Sequence, residues 1–478
     1  MKTTIGSDRD TQPSDTFSAV DELQHRMGRD LPKTESAYKL KAFWIASFAA
    51  FSYLLLFHGA FIHASDQVPG APQKRTIVLN GGTIHTVSGK TIENGMILFS
   101  GGKIKEVGVS IAIPNDAEVI DVSGRHVYPG LIDSLSSLGL IEIESVRATV
   151  DTTEIGSINP NVRAAVAFNP DSEAIPVARA NGVLTSLVVP AGSFVAGKAS
   201  LMMLDGWTWE TMTLQPDAGM VITWPRYGAA RMGRMGAEPE PSNATEDRLA
   251  PLHELIREAK AYQSARRNNP ETDIDLRLDS MIPVLEGKIP VLAFANAQRQ
   301  IQSAVAFAKE YQLKLIVVGG ADAIHCKDLL KESKVPVVIA SVYRLPLRRD
   351  SFYDSSYTLA NQLQEAGIPY CLGTDGRFGA SMVRNLPYHA ATAVAFGLSE
   401  DQALRSITLS AAEIFGVADR IGSLDTGKDA TLFVADGNIL ETSTQVTAAF
   451  IQGRKVDLSS KHTQLYEKYK AKYQQLKE

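Results

Sequence analysis

Two cysteines, Cys326 and Cys371, are too few and too far apart for a disulfide framework, a C-x-x-C redox motif or a zinc ribbon. They read as core thiols. Basic blocks are also missing, and the net charge of the 478-residue chain is -5, which excludes nucleic acid as an expected partner. No apolar run is followed by a Gly-rich phosphate loop, so a dinucleotide-binding open sheet is disfavoured. None of the 9 histidines stands two residues from another. Residues i and i+2 of a strand face the same side, so no strand of this chain can turn two imidazoles toward one ion.

One long hydrophobic run is present, at the N-terminus. Residues 1–41 are polar with mixed charges and are expected to be a disordered cytoplasmic tail. The stretch "AFWIASFAAFSYLLLFHGAFIHA", 42–64, then contains no Asp, Glu, Lys or Arg. About 20 apolar residues suffice to cross a bilayer. Lys33, Lys39 and Lys41 precede it, which keeps the tail inside. A cleaved signal peptide has an apolar region of roughly 7–15 residues, and cleavage after Ala64 would put Ile62 where a small residue is wanted. The expectation is an uncleaved inner-membrane anchor, with a cleaved-signal periplasmic form as the alternative. Both place the rest of the chain in the periplasm or outside the cell.

After a Pro/Gly linker at 65–75, short alternating runs with Asn-Gly and Gly-Gly turns predict an antiparallel β unit over 76–127. The pattern then changes. Near-continuous apolar runs at 182–190, 219–224, 289–295, 313–320, 335–342 and 368–375 are separated mostly by helical patterns such as 297–312 and 356–367. This predicts a parallel sheet buried on both faces, and its length fits a (β/α)8 TIM-type barrel over 128–419. A single long helix is expected at 399–417. Hairpins return at 420–457, so the two β segments are expected to join in one small composite β-sandwich. Residues 458–478 are expected to be a charged C-terminal helix. The Gly- and Pro-rich insertion 225–247, with Arg226, Arg231 and Arg234, reads as a mobile insertion or a lid.

Four stretches carry a family likeness in order: "NGGTIHTVSGKTIENGMILFSGGKI", "VYPGLID", "GTDG" and "AAEIFGVADRIGSLDTGKDATLFVADG". They resemble the amidohydrolase superfamily, nearest its imidazolonepropionase-like branch, over about Thr76 to Leu458. The resemblance implies a distorted (β/α)8 barrel beside a composite β-sandwich. It also implies metal-assisted hydrolysis of non-peptide amide or cyclic amide C–N bonds. The ligands it implies are a His-x-His on strand one, a Lys or Glu near strand four, a His on each of strands five and six, and an Asp on strand eight.

This chain departs from that set. Leu135 and Ser137 hold the strand-one positions, Phe294 the strand-five position, and strand six offers Val318, Gly319 and Gly320. Asp375 remains on strand eight and is the expected catalytic residue. By itself it could bind Zn or Mg only weakly. No metal ligand is therefore assigned. His253, His325 and His389 fall in helical patterns, and His85 and His126 in the β unit. Lys198 reads as a loop or turn residue. Glu154, Asn161 and Arg163, in the polar stretch after strand one, are the expected substrate-binding residues. The implied partner is a small molecule, with a homo-oligomer or an active amidohydrolase paralogue as a further association. Catalytic inactivity with retained ligand binding is the alternative.

Overall fold

Alternating runs at both ends of the chain and near-continuous apolar runs in its middle sort into two sheets. The computed structural model describes residues 67–226, 246–374 and 379–476. The expected tail and anchor at 1–64, most of the 225–247 insertion, and Asp375 lie outside the described residues. Among the described residues no helix is long and apolar enough to cross a membrane. Residues 65–478 form one compact unit that contains the cores described below.

The strands in chain order are β1 (Ile77–Ile84), β2 (Ile92–Ser100), β3 (Lys103–Gly108), β4 (Glu118–Asp121), β5 (His126–Pro129), β6 (Leu131–Ser136), β7 (Val183–Val188), β8 (Val195–Met203), β9 (Thr213–Thr223), β10 (Val291–Ala295), β11 (Leu315–Gly319), β12 (Val337–Ile339), β13 (Tyr370–Leu372), β14 (Leu432–Ala435), β15 (Val446–Ile451) and β16 (Arg454–Lys455). The first sheet runs β16-β15-β14-β5-β1-β2-β3, with β4 also paired to β1. Its two halves meet where β14 lies antiparallel to β5, Phe433 opposite Tyr128. Residues from both ends therefore share one hydrogen-bonded sheet and one core, in which the Phe99 and Phe450 rings meet edge to face at 5.1 Å. The β2–β3 turn needs Gly101 and Gly102, whose φ values of 58 and 77 suit the primed hairpin turns.

The second sheet runs β13-β12-β11-β10-β9-β8-β7-β6. Strands β9 to β13 are parallel, as is the β6–β7 pair, but β7, β8 and β9 form an antiparallel meander. The expectation of a wholly parallel sheet is corrected here. A parallel crossover needs a dozen or more residues, and the short Val189–Phe194 turn between β7 and β8 permits only a reversal. The expected helix at 399–417 is likewise two helices, Glu400–Ser406 and Leu409–Ile414. The break frees the Ile407 carbonyl, which accepts the Ile132 amide of β6 at 2.8 Å.

The barrel is drawn almost closed by one carboxylate. Asp133, on β6, is fully buried. Its Oδ1 accepts the Thr374 amide at 2.9 Å and its Oδ2 accepts the Thr374 hydroxyl at 2.8 Å, so the first strand holds the end of the last. Gly373 permits this approach, because a Cβ there would lie 2.9 Å from the Leu135 Cβ. A second buried carboxylate, Asp205, accepts the Gly70 amide at 3.1 Å and pairs with Arg179 at 3.0 Å and Arg454 at 3.5 Å. It ties the linker, the barrel and the sheet together.

Replacing Asp133 by Ala strands two buried donors and should cost about 3 kcal/mol or more. Chemical denaturation should show that loss for Asp133→Ala, whereas Glu413→Ala, which breaks an exposed pair with Arg405, should change stability by about 0.5 kcal/mol or less.

Candidate functional site at the barrel mouth

In barrels of this type the chemistry gathers where the parallel strands end. Here those ends are Ser136–Leu138 after β6, Asn296 after β10, Gly319–Asp322 after β11, Ser341–Arg344 after β12 and Thr374 after β13. Leu135 is 1% exposed and packs on Gly373. The Ser137 hydroxyl is buried without a hydrogen-bond partner. Phe294 packs against the barrel core. Gly319 has a φ of 101, and a Cβ on it would come 2.6 Å from the Asn296 Oδ1. A side chain at Gly319 would displace Asn296.

Asn296 is held instead by a guanidinium. Its Oδ1 accepts Arg344 Nη1 at 2.9 Å. Beside it, Asp322 accepts the Gln298 amide and Arg348 Nη1, each at 3.1 Å. The second Arg348 terminal nitrogen lies 3.3 Å from the Nε2 of exposed His325. Gln300 orders the turn below, taking the Asn296 and Ala297 amides on its carbonyl and donating to the Trp224 carbonyl at 2.8 Å. The mouth thus presents two arginines braced by neutral or acidic neighbours. Sequence reasoning passed over Asn296, Asp322, Arg344 and Arg348. The available signal was their position just after the apolar runs "VLAFA", "LIVVG" and "VVIA".

The polar stretch after β6 runs along the β7–β8 turn, with the Ala191 amide on the Thr152 carbonyl at 2.7 Å and the Asn159 amide on the Val195 carbonyl at 2.8 Å. The expected substrate residues separate there. Glu154 is exposed and accepts the amide of Ile155 at 2.8 Å, and Asn161 is exposed. Arg163 instead meets Asp217 at 3.6 Å, and Asp217 also takes Lys198 at 3.2 Å. Lys198 is a correction: it stands on β8, 3% exposed, and not in a loop.

His253 is committed to packing contacts and His325 lies exposed beside Arg348, while the buried Nδ1 of His389 has no hydrogen-bond partner among the described residues. His253 bonds the Tyr311 hydroxyl at 2.7 Å and meets Phe307 edge to face. His389 is 2% exposed, bonds the Gly373 backbone and meets the Tyr343 ring at 4.6 Å. Outside the mouth, His85 Nε2 and His126 Nδ1 lie 2.9 Å apart, and His85 stacks on Tyr128 at 4.3 Å. Among the described residues no three His, Cys, Asp or Glu side chains gather so as to hold a metal ion. Among the described residues, the donor set at the strand ends is a serine hydroxyl, an amide and a carboxylate already paired with arginine. It does not fit a zinc centre, which takes about four ligands of the Cys, His and carboxylate type.

Burial lowers the pKa of His389 from its ordinary 6.5 to about 4, opposed by its bond to Gly373. Burial, and then the charge of His126, lowers His85 to about 4 as well. The unfolded chain therefore binds more protons between about pH 6.5 and 4, so stability is full above that window and is lost as pH falls through it. Melting temperature should drop between pH 7 and 5, and His389→Met should flatten that drop.

The Amidohydrolase family model matches residues 297–460. The imidazolonepropionase of Syntrophobacter fumaroxidans is 24% identical over 75% of this chain and 85% of its own length. Amidohydrolase tasK of Hapsidospora irregularis is 22% identical over 83% of this chain, which spans only 42% of that longer protein. The crystal structure of an amidohydrolase from Thermotoga maritima superposes with a TM-score of 0.70 at 26% identity, covering 80% of this chain and 99% of the other. The family model, the fold and these relatives support a place in the amidohydrolase superfamily, on its imidazolonepropionase-like side.

Proposed function

We propose that the protein hydrolyses a non-peptide C–N bond, amide or cyclic amide, in a small anionic molecule bound at the barrel mouth. The observation that carries this reading is the pair of arginines, Arg344 and Arg348, braced at the strand ends by Asn296 and Asp322. A guanidinium offers a carboxylate two parallel charge-assisted bonds. Kinship with imidazolonepropionases supports C–N chemistry. Asp375, one residue beyond the Thr374 that Asp133 holds, is proposed as the proton-handling residue, and Arg163 as a further anion contact. Glu154 and Asn161 are proposed to reach substrate from the exposed stretch after β6. Because the donor set does not fit zinc, no metal step is included. A weak Zn or Mg at Asp375 would keep most of its water shell.

The sheet shared by both chain ends is proposed to correspond to the family's composite β-sandwich. The run 42–64 is proposed to anchor the barrel outside the inner membrane. Association with a second copy or an active paralogue also belongs to this reading. Leu135 and Phe294 at the ligand positions favour one second reading, a protein that binds such a molecule without turning it over.

The purified protein should release product from cyclic amides or N-acyl amino acids in a chromatographic assay. Arg344→Gln should raise KM about tenfold or more, the size of one lost charged hydrogen bond, and Asp375→Asn should abolish kcat. Calorimetric binding without turnover in the unaltered protein would establish the second reading. Metal analysis should find less than one zinc per chain, and a chelator should leave the melting temperature unchanged. One zinc per chain, lost in Asp375→Ala, would overturn the metal-free site.

A further inference from the structure

The C-terminal helix has no use in the reading above. It spans Lys461–Gln475, starts from a capping box at Ser460 and Thr463, and buries none of its residues. Its composition opposes that of the protein. The chain carries a net charge of -5, whereas Lys461, Lys468, Lys470 and Lys472 face a single acid, Glu467, in this helix.

The arrangement around the helix axis is ordered. At about 100° per residue, Leu465, Tyr466, Tyr469, Tyr473 and Leu476 fall on one face roughly 100° wide, shared at the start of the helix by His462, whose Nδ1 lies 3.2 Å from Arg384 Nη1. Lys470 borders one edge of that face, and Lys461, Lys468 and Lys472 border the other. Glu467 lies on the opposite side with Gln464, Ala471 and Gln474. The lysines lie along the rings: Lys470 Nζ is 5.5 Å from the Tyr466 centroid, and Lys472 Nζ is 5.9 and 5.8 Å from Tyr469 and Tyr473. A second copy is a poor occupant, because pairing the stripes would set lysine edge against lysine edge. Tyrosine and lysine together suit a bilayer interface, where rings sit among headgroups and ammonium groups reach outward.

The other end of the chain arrives at the same place. Gln67 donates to the Ser459 carbonyl at 3.1 Å, one residue before the helix cap. The uncharged run 42–64 ends three residues before Gln67.

We propose that the helix Lys461–Gln475 lies on an anionic bilayer surface, tyrosine face inward and lysines on headgroup phosphates. It would hold the barrel against the membrane independently of the 42–64 run.

The test uses residues 65–478, which contain every core of the fold, so that binding cannot come from the N-terminal run. Sedimentation with phosphatidylglycerol vesicles should pellet this protein, and phosphatidylcholine vesicles should not. Each of Lys468→Gln, Lys470→Gln and Lys472→Gln should weaken binding about fivefold, and added salt should do the same to the unaltered protein. Replacing Tyr466, Tyr469 and Tyr473 together by Gln should abolish binding. Circular dichroism melts should show these exposed substitutions leaving the fold intact. Equal binding to both lipids, or lysine variants that bind like the unaltered protein, would overturn the proposal. So would light scattering that finds a dimer lost in the tyrosine variant.

Discussion

A carboxylate with no route to water sets the shape of this barrel. Asp133 on the first barrel strand must be satisfied inside the fold, and the amide and hydroxyl of Thr374 after the last strand do so at 2.9 and 2.8 Å. A buried charge left without donors costs several kcal/mol, so the two strand ends are held in register. The rest of the mouth follows. Gly373 must lack a side chain where it meets Leu135, and Leu135 must be apolar where it fills the space beside that glycine. Leu135 is thereby part of the barrel seam.

The same electrostatic rule sorts the charged contacts of the molecule. Asp205 is 2% exposed and is shared by Arg179 and Arg454, so losing it would leave a guanidinium stranded in the interior. Desolvation raises its carboxyl pKa and the two arginines pull it back. The exposed Arg405–Glu413 pair contributes little by comparison. At the mouth, Arg344 and Arg348 are intermediate cases. They are braced by Asn296 and Asp322, with Arg344 half-buried and Arg348 exposed.

Much of this was legible along the chain, for a physical reason. Strands buried on both faces must be almost wholly apolar, so β10, β11 and β13 stand out as unbroken runs. Strand β8 did not, because Gly197 and Lys198 interrupt its run, and a buried lysine is tolerated only because Asp217 meets it. The helix expected at 399–417 has no breaker in its sequence. Its break leaves the carbonyl of Ile407 to the amide of Ile132, a partner remote in sequence. Asp375, the residue on which the sequence placed most weight, lies outside the described residues, whereas the bond between Asn296 and Arg344 joins two strand ends 48 residues apart.

By itself, the sequence determined the class of fold, the return of β segments on both sides of the barrel, and the absence of a His-x-His pair, since composition and short-range periodicity record each of these. The tertiary structure alone decided which carboxylate closes the barrel, where Lys198 sits and which arginines reach the mouth. Asp133 and Thr374 are 241 residues apart. A hydrogen bond between such partners leaves no trace in either local pattern, because each residue is equally consistent with many others until folding brings one opposite it.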